Sequence, residues 1–446
     1  MRFHPLPGAA KLKDADSSGS HVRKVLGSFL LALFCGTVVR AGEDSLLPIQ
    51  LGKILFYPSA NFSYALEDNV ERSNGDNPLI PVIASSVQDI RPTLRFQAPF
   101  QRSLTTLAYS AKFRDYGAKE LKNASGTSQY LDFTELYQVT PSLRLNLQDN
   151  FLDGITELYE IDPGGELRFG TQPFRSNSAL AALSLEMGPI QSVEVGGNLI
   201  NTRFDATSKS QPVFDSRSEG LGARYLLAIG PDNRLFLAAD WQYDSQDRGM
   251  TQIGGADYRT RSVGLGLRRV TGPALNSELR ASYAVVDFPD DPGKHFQGIT
   301  AEGNLSRPLG VTAQLALRLN RGPATSFFNE NSFYLNEMME IIYSQQIGQR
   351  FRVQLTGGFQ HNSYPEPVDS SLDPYLSPSE GTRRRDDLRG GTARLVYHVG
   401  RAMDLQLEYR RDRARSNIVA ENEGVEYKIF DFDYESLTTS LIVGWQ

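Results

Sequence analysis

The sequence predicts an all-β protein, a transmembrane antiparallel up-and-down β-barrel of about 18 strands (roughly 16 to 18) that forms a single domain. Three observations predict this fold class. Segments of roughly ten residues alternate apolar and polar side chains, as tilted strands that cross a bilayer do. Short and long connections between these segments alternate strictly. The last segment has one apolar face and requires a partner strand, because natural proteins rarely leave a long strand edge unpaired.

The final segment, Tyr434 to Gln446, follows a two-residue period. Its apolar face is formed by Leu437, Thr439, Leu441, Val443 and Trp445. Alternate residues of a strand share one face, so this strand has a lipid-facing side and a more polar side. We expect it to pair with the first strand, which begins at Ile54, and so to close the barrel.

Overall composition does not distinguish this chain from a soluble protein. Of its 446 residues, 40% are hydrophobic, and the mean hydropathy is −0.35. A barrel strand turns only about half of its residues towards lipid, so these averages are also those of a barrel. No apolar stretch reaches the roughly 18 residues that a membrane-spanning helix needs.

The N-terminal region has the pattern of a secretory signal peptide. The apolar run Val25–Val39 follows the basic pair Arg23 and Lys24, and Val39-Arg40-Ala41 supplies a small-residue cleavage site. We therefore expect residues 1–41 to be a signal peptide, residues 42–53 a short periplasmic segment and residues 54–446 the outer-membrane barrel. A membrane anchor is the alternative, but the run is short for a span.

Cysteine content and charge exclude several kinds of site. Cys35 is the only cysteine and lies within the predicted signal peptide, so the mature chain has no disulfides and no thiolate metal sites. The formal net charge is −6, and removal of the basic leader makes it more negative. Nucleic acid is therefore disfavoured as a partner, because its phosphates require a basic surface.

The connections predict the orientation of the barrel. Eight are short and mostly contain Gly or Pro, the turn-forming residues; they lie near Ala98–Arg102, Thr140–Ser142, Gly188–Ile190, Gly230–Arg234, Thr271–Asn276, Arg307–Val311, Gly348–Arg350 and Gly400–Met403. Nine longer segments separate them, among them Asn69–Ile83, Asp153–Arg175, Ser363–Asp387 and Arg413–Lys428. Bacterial barrels have short periplasmic turns and long outer loops, so we expect this protein in the outer membrane of a Gram-negative cell. Two strands stay ambiguous, because Ala179–Met187 and Phe333–Ile347 also suit helices.

Aromatic residues mark the predicted lipid face near the long-loop ends of the strands. They are Tyr64, Phe113, Phe151, Tyr243, Phe359 and Tyr409. Rings at that depth would lie in the headgroup layer. A few polar residues break the apolar pattern of this face, namely Glu135, Glu337, Arg269, Arg411 and His361. Several of these lie near strand ends, where a charge is tolerated, and Glu337 is the hardest to place on a lipid face.

The opposite face of each strand predicts the wall of the lumen. The candidate lumen-lining residues are Lys112, Arg114, Arg144, Arg224, Asp240, Arg268, Arg280, Glu302, Arg318, Arg352, Arg394, Glu408 and Arg410. Further acidic candidates are Asp132, Glu194 and Glu278. These charges have two interpretations: a solvated wall with ladders of salt bridges, or a selectivity surface for a polar or anionic solute.

We expect no enzyme and no catalytic, cofactor-binding or metal site. The chain has only five histidines, and a hydrolase would need one of them beside a nucleophile. The triplet His361-Asn362-Ser363 contains suitable residues, but adjacent strand residues point to opposite faces. The sequence therefore predicts no catalytic relay there. The basic and acidic run Arg383-Arg384-Arg385-Asp386-Asp387 is interpreted as solvated surface.

A short N-terminal motif carries a family resemblance. Leu51-Gly52 is followed by the strand Phe56–Leu66 and then by Glu67-Asp68-Asn69-Val70-Glu71-Arg72-Ser73. This opening resembles that of the putative β-barrel porin 2 family, over roughly Ile49 to Gln446. The resemblance implies an outer-membrane barrel. Because some members are associated with exopolysaccharide systems, it also implies a role beside a periplasmic polysaccharide-export lipoprotein.

Three functions follow as expectations. The first is a passive outer-membrane channel that exports an exopolysaccharide or another large polar solute, with energy supplied elsewhere. The alternatives are a general or solute-selective diffusion porin, and a structural or adhesive barrel that acts through its outer loops. The expected partners are outer-membrane lipid and lipopolysaccharide, the export lipoprotein, and polysaccharide or small polar solutes as cargo. About 18 strands enclose enough space for an aqueous channel.

Overall fold

The computed structural model describes a chain that consists almost entirely of β-strands. It describes residues 48–73, 81–157, 171–204, 215–247, 257–270, 276–289, 295–325, 333–368, 378–422, 424–428 and 430–444. The predicted signal peptide lies outside these residues, as do Trp445 and Gln446 of the closing segment. In the described part of the chain, no helix is long and apolar enough to cross a bilayer.

The strands follow one another along the chain in hairpin order. They are β1 (Ile49–Leu51), β2 (Ile54–Glu67), β3 (Ser85–Pro99), β4 (Ser103–Tyr116), β5 (Gly126–Thr140), β6 (Leu143–Glu157), β7 (Thr171–Glu186), β8 (Gln191–Phe204), β9 (Asp215–Ala228), β10 (Asn233–Asp247), β11 (Tyr258–Val270), β12 (Asn276–Asp287), β13 (His295–Pro308), β14 (Ala313–Thr325), β15 (Phe333–Ile347), β16 (Phe351–Pro367), β17 (Arg383–His398), β18 (Met403–Ser416), β19 (Ala420–Asn422), β20 (Val425–Tyr427) and β21 (Phe432–Gly444). A 3₁₀ helix, Lys119–Ala124, lies between β4 and β5. β1 turns back onto β2 at Gly52, whose φ of 64° is a left-handed conformation that glycine adopts without strain.

Antiparallel pairing closes the sheet into a barrel of 18 strands, β2 to β18 and β21. Each barrel strand from β2 to β18 pairs with its successor, except that β18 pairs with β21. β21 also pairs with β2, from Ser59 opposite Gly444 to Glu67 opposite Ser436. The predicted fold class and its closing strand are thereby confirmed.

The connections and the two ambiguous strands also agree with the predictions. Seven of the eight short turns occur where expected, each between two consecutive barrel strands. Residues 271–275 of the eighth lie outside the described residues, and β11 ends at Val270 and β12 begins at Asn276 on either side of them. β7 and β15 are strands, which resolves the ambiguity at Ala179–Met187 and Phe333–Ile347. Tertiary pairing decides both cases, because each segment lies between two strands whose backbone groups need partners.

Exposed apolar side chains cover the outer wall of the barrel. Five of the six predicted girdle aromatics are among the exposed large hydrophobic residues, namely Tyr64, Phe113, Phe151, Phe359 and Tyr409. Polar residues on this wall have partners beside them. Glu337 pairs with Arg321 at 2.7 Å, and Glu135 accepts a hydrogen bond from Thr105. Such pairing lowers the unfavourable free energy of a charge near lipid.

The motif after β2 fastens the seam between the first and last barrel strands. The Asn69 side chain donates to the backbone oxygens of Asp433 (2.8 Å) and Ser73 (2.6 Å), and its Oδ1 accepts from the Ser73 N–H at 2.9 Å. Asp68 accepts from the backbone N–H of Glu435 at 2.7 Å. Asn69 is only 4% exposed, so these bonds satisfy groups that water does not reach. The motif behind the family resemblance is therefore a structural clasp.

Three apolar clusters pack where the strands meet the long connections. The first consists of Val368, Ala414, Ile418, Ala420, Tyr427, Phe430, Phe432 and Tyr434. The second consists of Tyr258, Val286, Phe288 and Phe333, with Phe296 against them. The third consists of Ala65, Val87, Tyr116 and Leu121. Many of these side chains lie on the inward face, so parts of the outer loops pack into the mouth of the barrel.

The half-buried Glu71 makes the stability of this region depend on pH. Burial raises the pKa of Glu71 above its ordinary value, because desolvation penalises the charged carboxylate. The stabilising contribution is present below the ordinary glutamate pKa and is lost as the pH rises through the raised pKa. We expect Glu71→Gln to raise the melting temperature at neutral pH and to leave it unchanged in acid. A melting series of both proteins across that range checks this, and an equal difference at every pH would contradict it.

Candidate functional site

All thirteen predicted lumen residues lie on the strand face opposite the exposed apolar side chains. Ten of them form ion pairs, within one strand, between adjacent strands or across an intervening strand. The simple pairs are Arg114 with Asp89 (2.7 Å), Arg144 with Glu186 (3.3 Å), Arg318 with Glu340 (3.0 Å), Arg394 with Glu408 (2.6 Å) and Arg410 with Asp412 (2.7 Å). Glu302 lies opposite Arg280 in the strand register, Lys112 opposite Ser128, and Arg352 opposite Gln346.

The central feature of this wall is a chain of four charged side chains. Arg268 lies between two carboxylates, 2.7 Å from Glu194 and 2.7 Å from Glu278. Glu278 also accepts from Arg224 at 3.0 Å. The side chains of all four are between 16% and 29% exposed, so they are half-buried. The sequence predicts each of these residues on the inner wall but not that they form one network.

A buried aromatic ring explains how Arg268 of β11 reaches Glu194 of β8. Phe236 of β10 is 1% exposed and points into the barrel. The guanidinium carbons of Arg224 and Arg268 lie 5.5 Å and 5.9 Å from the centre of its ring. The ring occupies the space above Gly266, where an added Cβ would lie 2.1 Å from Phe236 Cζ. Because Gly266 has no side chain, the Phe236 ring can pack over its backbone. The guanidinium groups of Arg224 and Arg268 then lie over this ring, within cation–π distance.

A second polar group lies nearer the middle of the same wall. Arg280 pairs with Asp240 and donates to Ser282 at 2.8 Å, and Ser262 donates to Asp240 at 3.1 Å. Arg280 is 6% exposed, so this ion pair is shielded from water on one side. These residues line a recess of about 580 Å³ that Glu194, Arg224 and Glu302 also border. The recess presents hydrogen-bond donors and acceptors together, as a site for a hydroxyl-rich solute would.

A buried ion pair that was not predicted from the sequence lies at the outer mouth. Arg384 and Asp386 have side chains that are 2% and 1% exposed, and they pair at 2.7 Å. The guanidinium of Arg384 lies between the rings of Tyr364 (4.6 Å) and Phe430 (3.5 Å). The interpretation of the run 383–387 as solvated surface is wrong for these two residues. Their even numbers place them on the inward face of β17, a signal that the strand pattern contained.

The match to a family model decides the relationship of this chain to known proteins. The model described as putative beta-barrel porin 2 matches residues 48–427. This chain belongs to that family. The resemblance drawn from the opening motif is confirmed, and the match extends over the whole described barrel except the closing strand.

Several outer-membrane proteins of solved structure are similar to this chain. OccK3 (OpdO) of Pseudomonas aeruginosa is 12% identical, with 88% of this chain and 96% of that chain covered and a TM-score of 0.44. OpdK of the same organism is 12% identical, with 89% and 100% covered and a TM-score of 0.44. The siderophore receptor PirA, also of Pseudomonas aeruginosa, is 10% identical, with 88% and 80% covered and a TM-score of 0.44. A search among curated proteins finds no match.

The family match and the closed barrel of 18 strands together identify a porin-like outer-membrane barrel. Within the residues that the structure describes, no group of three or more His, Cys, Asp or Glu side chains is arranged to hold a metal ion. The polar residues that a solute in the lumen would meet are those of the inner wall, where the two groups around Arg268 and Arg280 lie side by side.

The outer wall contains an arrangement that the sequence analysis excluded. Ser363 Oγ lies 2.9 Å from His361 Nε2, and His361 Nδ1 lies 2.8 Å from Asp387 Oδ1. The exclusion of a relay in His361-Asn362-Ser363 is wrong, because His361 and Ser363 are two residues apart and therefore share a face. Asp387 lies directly opposite His361 on the neighbouring strand β17.

Proposed function

We propose that this protein is a passive outer-membrane channel for saccharides, and that its physiological cargo is an exopolysaccharide leaving the cell. The observation that supports this best is the pairing of charges along the inner wall. Arginines and carboxylates of the predicted lumen form eight salt bridges, with nitrogen-to-oxygen distances of 2.6 to 3.3 Å. The first interpretation of these charges, ladders of salt bridges, is the one that these distances favour.

A paired wall suits a neutral, hydroxyl-rich solute. Rows of one sign of charge create the field that selects ions in charge-selective pores. Paired charges largely cancel that field at a distance, yet their remaining donor and acceptor sites can exchange hydrogen bonds with passing hydroxyl groups. Saccharides offer such groups along their whole length, and weak, repeated bonds let a solute enter and leave.

Polymer export fits the family to which the chain belongs. A passive conduit supplies no energy of its own, so it would receive its polymer from another component. We propose a periplasmic polysaccharide-export lipoprotein as that component, and outer-leaflet lipid and lipopolysaccharide as the surroundings of the barrel.

A diffusion porin for small solutes is the second candidate, and the outer mouth favours it. Phe430 and Tyr427 from the connection between β18 and β21 pack with Phe432 and Tyr434 on the inward side. Apolar side chains at this end reduce the opening that a polymer would have to pass. A small sugar or organic solute would be less affected by that packing.

A clean deletion of the gene separates these candidates. Surface and secreted polysaccharide are measured beside the uptake of small hydrophilic solutes, in the deletion strain and in a strain with the wild-type gene restored. We expect loss of extracellular polymer with solute uptake unchanged. Normal polymer with slowed uptake would overturn export and favour the diffusion porin. Normal polymer and normal uptake, with the barrel present in the parent outer membrane, would contradict both channel functions and favour a structural or adhesive barrel.

A further inference from the structure

We propose that Ser363, His361 and Asp387 form an ester-hydrolysing site on the outer wall of the barrel, which acts on an acyl ester of a phosphate-bearing lipid in the surrounding leaflet. The site lies on the opposite face of the wall from the lumen and is independent of the channel function. Three observations support it: the hydrogen-bond geometry of the three side chains, their depth on the wall, and the arginines around them.

The hydrogen bonds fix the roles of the three side chains. An ionised aspartate can only accept, so His361 Nδ1 must be the donor to Asp387. In neutral His361 the other nitrogen, Nε2, then carries a lone pair and accepts from the hydroxyl of Ser363. This tautomer is the one in which histidine removes a proton from serine while a carboxylate holds the ring. The two distances, 2.9 Å and 2.8 Å, lie within the range of such relays.

Local strand geometry places the three groups together and leaves them accessible. The register of β16 with β17 is regular up to Ser363 opposite Arg385 and becomes irregular between Ser363 and Pro367. Such irregularities bend a strand and redirect its side chains. The side chains of His361 and Asp387 are 27% and 48% exposed, and Ser363 is half-buried. A nucleophile in this position can be reached from outside the barrel.

The site lies at the level of the lipid headgroups, next to the layer that contains the ester linkages. Phe359, one of the exposed girdle aromatics, precedes His361 by two residues on the same face of β16. Two residues of a strand span about 7 Å. Interfacial aromatic rings lie at the headgroup level, so His361 and Ser363, further out along the strand, lie within or just outside the headgroup layer.

Arginines surround the site on the same face and would attract a phosphate-bearing lipid. Five of them are Arg385, Arg389, Arg411, Arg413 and Arg415. The carboxylates around it are equally many: Glu337 directly opposite His361, Asp387, Asp431, Asp433 and Glu435. Arg411, Arg413 and Arg415 are ion-paired with them, so the arginines open to a lipid phosphate are the exposed Arg385 and Arg389. Arginine is the residue best suited to hold phosphate oxygens. Arg385 is directly opposite Ser363 in the register, and its exposed guanidinium is the candidate to stabilise the oxyanion that forms during ester cleavage.

The proposed reaction needs only the ester and water. Ser363 Oγ bonds to the ester carbonyl carbon while its proton passes to His361 Nε2. The bond between that carbon and the alcohol oxygen then breaks, and the alcohol leaves with the proton from His361. Water attacks the acyl-serine by the same route, which releases a fatty acid and restores Ser363. No redox partner is consumed.

The first test is covalent labelling and lipid hydrolysis by the full-length barrel purified in detergent. A fluorophosphonate probe should modify Ser363, as mass spectrometry would show, and mixed micelles of diacyl phospholipid or of lipid A should release fatty acid. We expect Ser363→Ala to lose both, with kcat/KM lower by at least about 100-fold. The matched control is Ser245→Ala, which changes another serine near the outer end of a strand whose Oγ contacts a backbone oxygen. It should match the wild type.

Asp387 is a positioning residue. Its variant distinguishes a catalytic role of the three side chains from a purely structural role, in which their hydrogen bonds only hold β16 and β17 together. Asp387→Asn should lower kcat by at least about 100-fold while KM changes little, because the amide favours the wrong tautomer of His361. To show that the variants fold, heated and unheated samples are compared on gels. A folded variant should show the same difference in migration between the two samples as the wild type. Absence of both labelling and hydrolysis in the folded wild type would overturn the proposal. Cleavage of short soluble esters alone would overturn the lipid substrate.

Discussion

Replacing Arg384 with alanine is expected to release the connection between β18 and β21 from the mouth of the barrel. The Arg384 guanidinium lies against the Phe430 ring of that connection and pairs with Asp386, and water reaches neither charge. Loss of the arginine leaves a buried carboxylate without its partner, which costs about 3–5 kcal/mol in comparable cases. Part of this free energy is local, because the Phe430 contact is lost at the same time. We expect faster hydrogen exchange and proteolysis around Phe430, and a larger single-channel conductance.

A matched variant separates this effect from the mere loss of an arginine. Arg413 pairs with Asp433 on the outer face, where both side chains are more than half exposed. Exposed pairs contribute about 0–1 kcal/mol, so Arg413→Ala should leave exchange and conductance close to the wild type. The double variant Arg384→Met with Asp386→Leu should recover much of the lost stability, since it removes both buried charges together. Equal exchange in Arg384→Ala and Arg413→Ala would contradict the proposed anchoring role.

Replacing Arg268 with methionine is expected to change the ion selectivity of the lumen more than any other single substitution of the inner wall. Arg268 is the shared partner of Glu194 and Glu278, and Arg224 would remain to neutralise only Glu278. The wall would then present Glu194 without its partner beside the recess. A localised negative charge attracts cations and repels anions. In planar bilayers, we expect the cation-to-anion permeability ratio to rise severalfold, with the largest difference at low ionic strength, where screening is weakest.

The control for Arg268→Met is an identical change on the other side of the wall. Arg321 pairs with Glu337 at 2.7 Å and lies on the lipid-facing side. Arg321→Met removes the same charge from the molecule but not from the lumen, so selectivity should stay as in the wild type. Adding Glu194→Gln to Arg268→Met should restore the wild-type ratio. A similar shift in both single variants would mean that Arg268 does not face the conducting path.

The strands were predictable from the sequence because a two-residue period is a local signal. The lipid-facing residues of each strand, such as Leu437 and Leu441 on the closing strand, can be recognised without knowing which strands pair with it. Even the segment around Met338 and Met339, which also suits a helix, is decided by the strands on either side. Closure of the barrel was predictable for the same reason, since an apolar-faced terminal strand has few alternatives to pairing.

The inward packing of the outer loops was not predictable, because the residues that make these contacts follow no regular spacing in the sequence. Ile418 and Phe430 belong to a connection, and nothing in their spacing indicates that they would bury against Ala414 and Phe432. The network around Arg268 depends on register and on the space above Gly266, neither of which appears in one sequence. The relay at Ser363 is different. His361 and Ser363 are two residues apart and therefore share a strand face, which the sequence alone shows. The prediction considered only directly adjacent residues, and so it excluded the relay.

The clasp at Asn69 has a consequence for the order in which the barrel forms. Its bond to the backbone oxygen of Asp433 joins residues 364 positions apart. Contacts so distant along a chain require almost all of the intervening chain to be in place, so they form late. Until then, the amide of Asn69 and the backbone groups that it satisfies have no such partners in an assembling barrel. A stalled intermediate therefore keeps an open, polar edge at its outer rim until the first and last barrel strands pair.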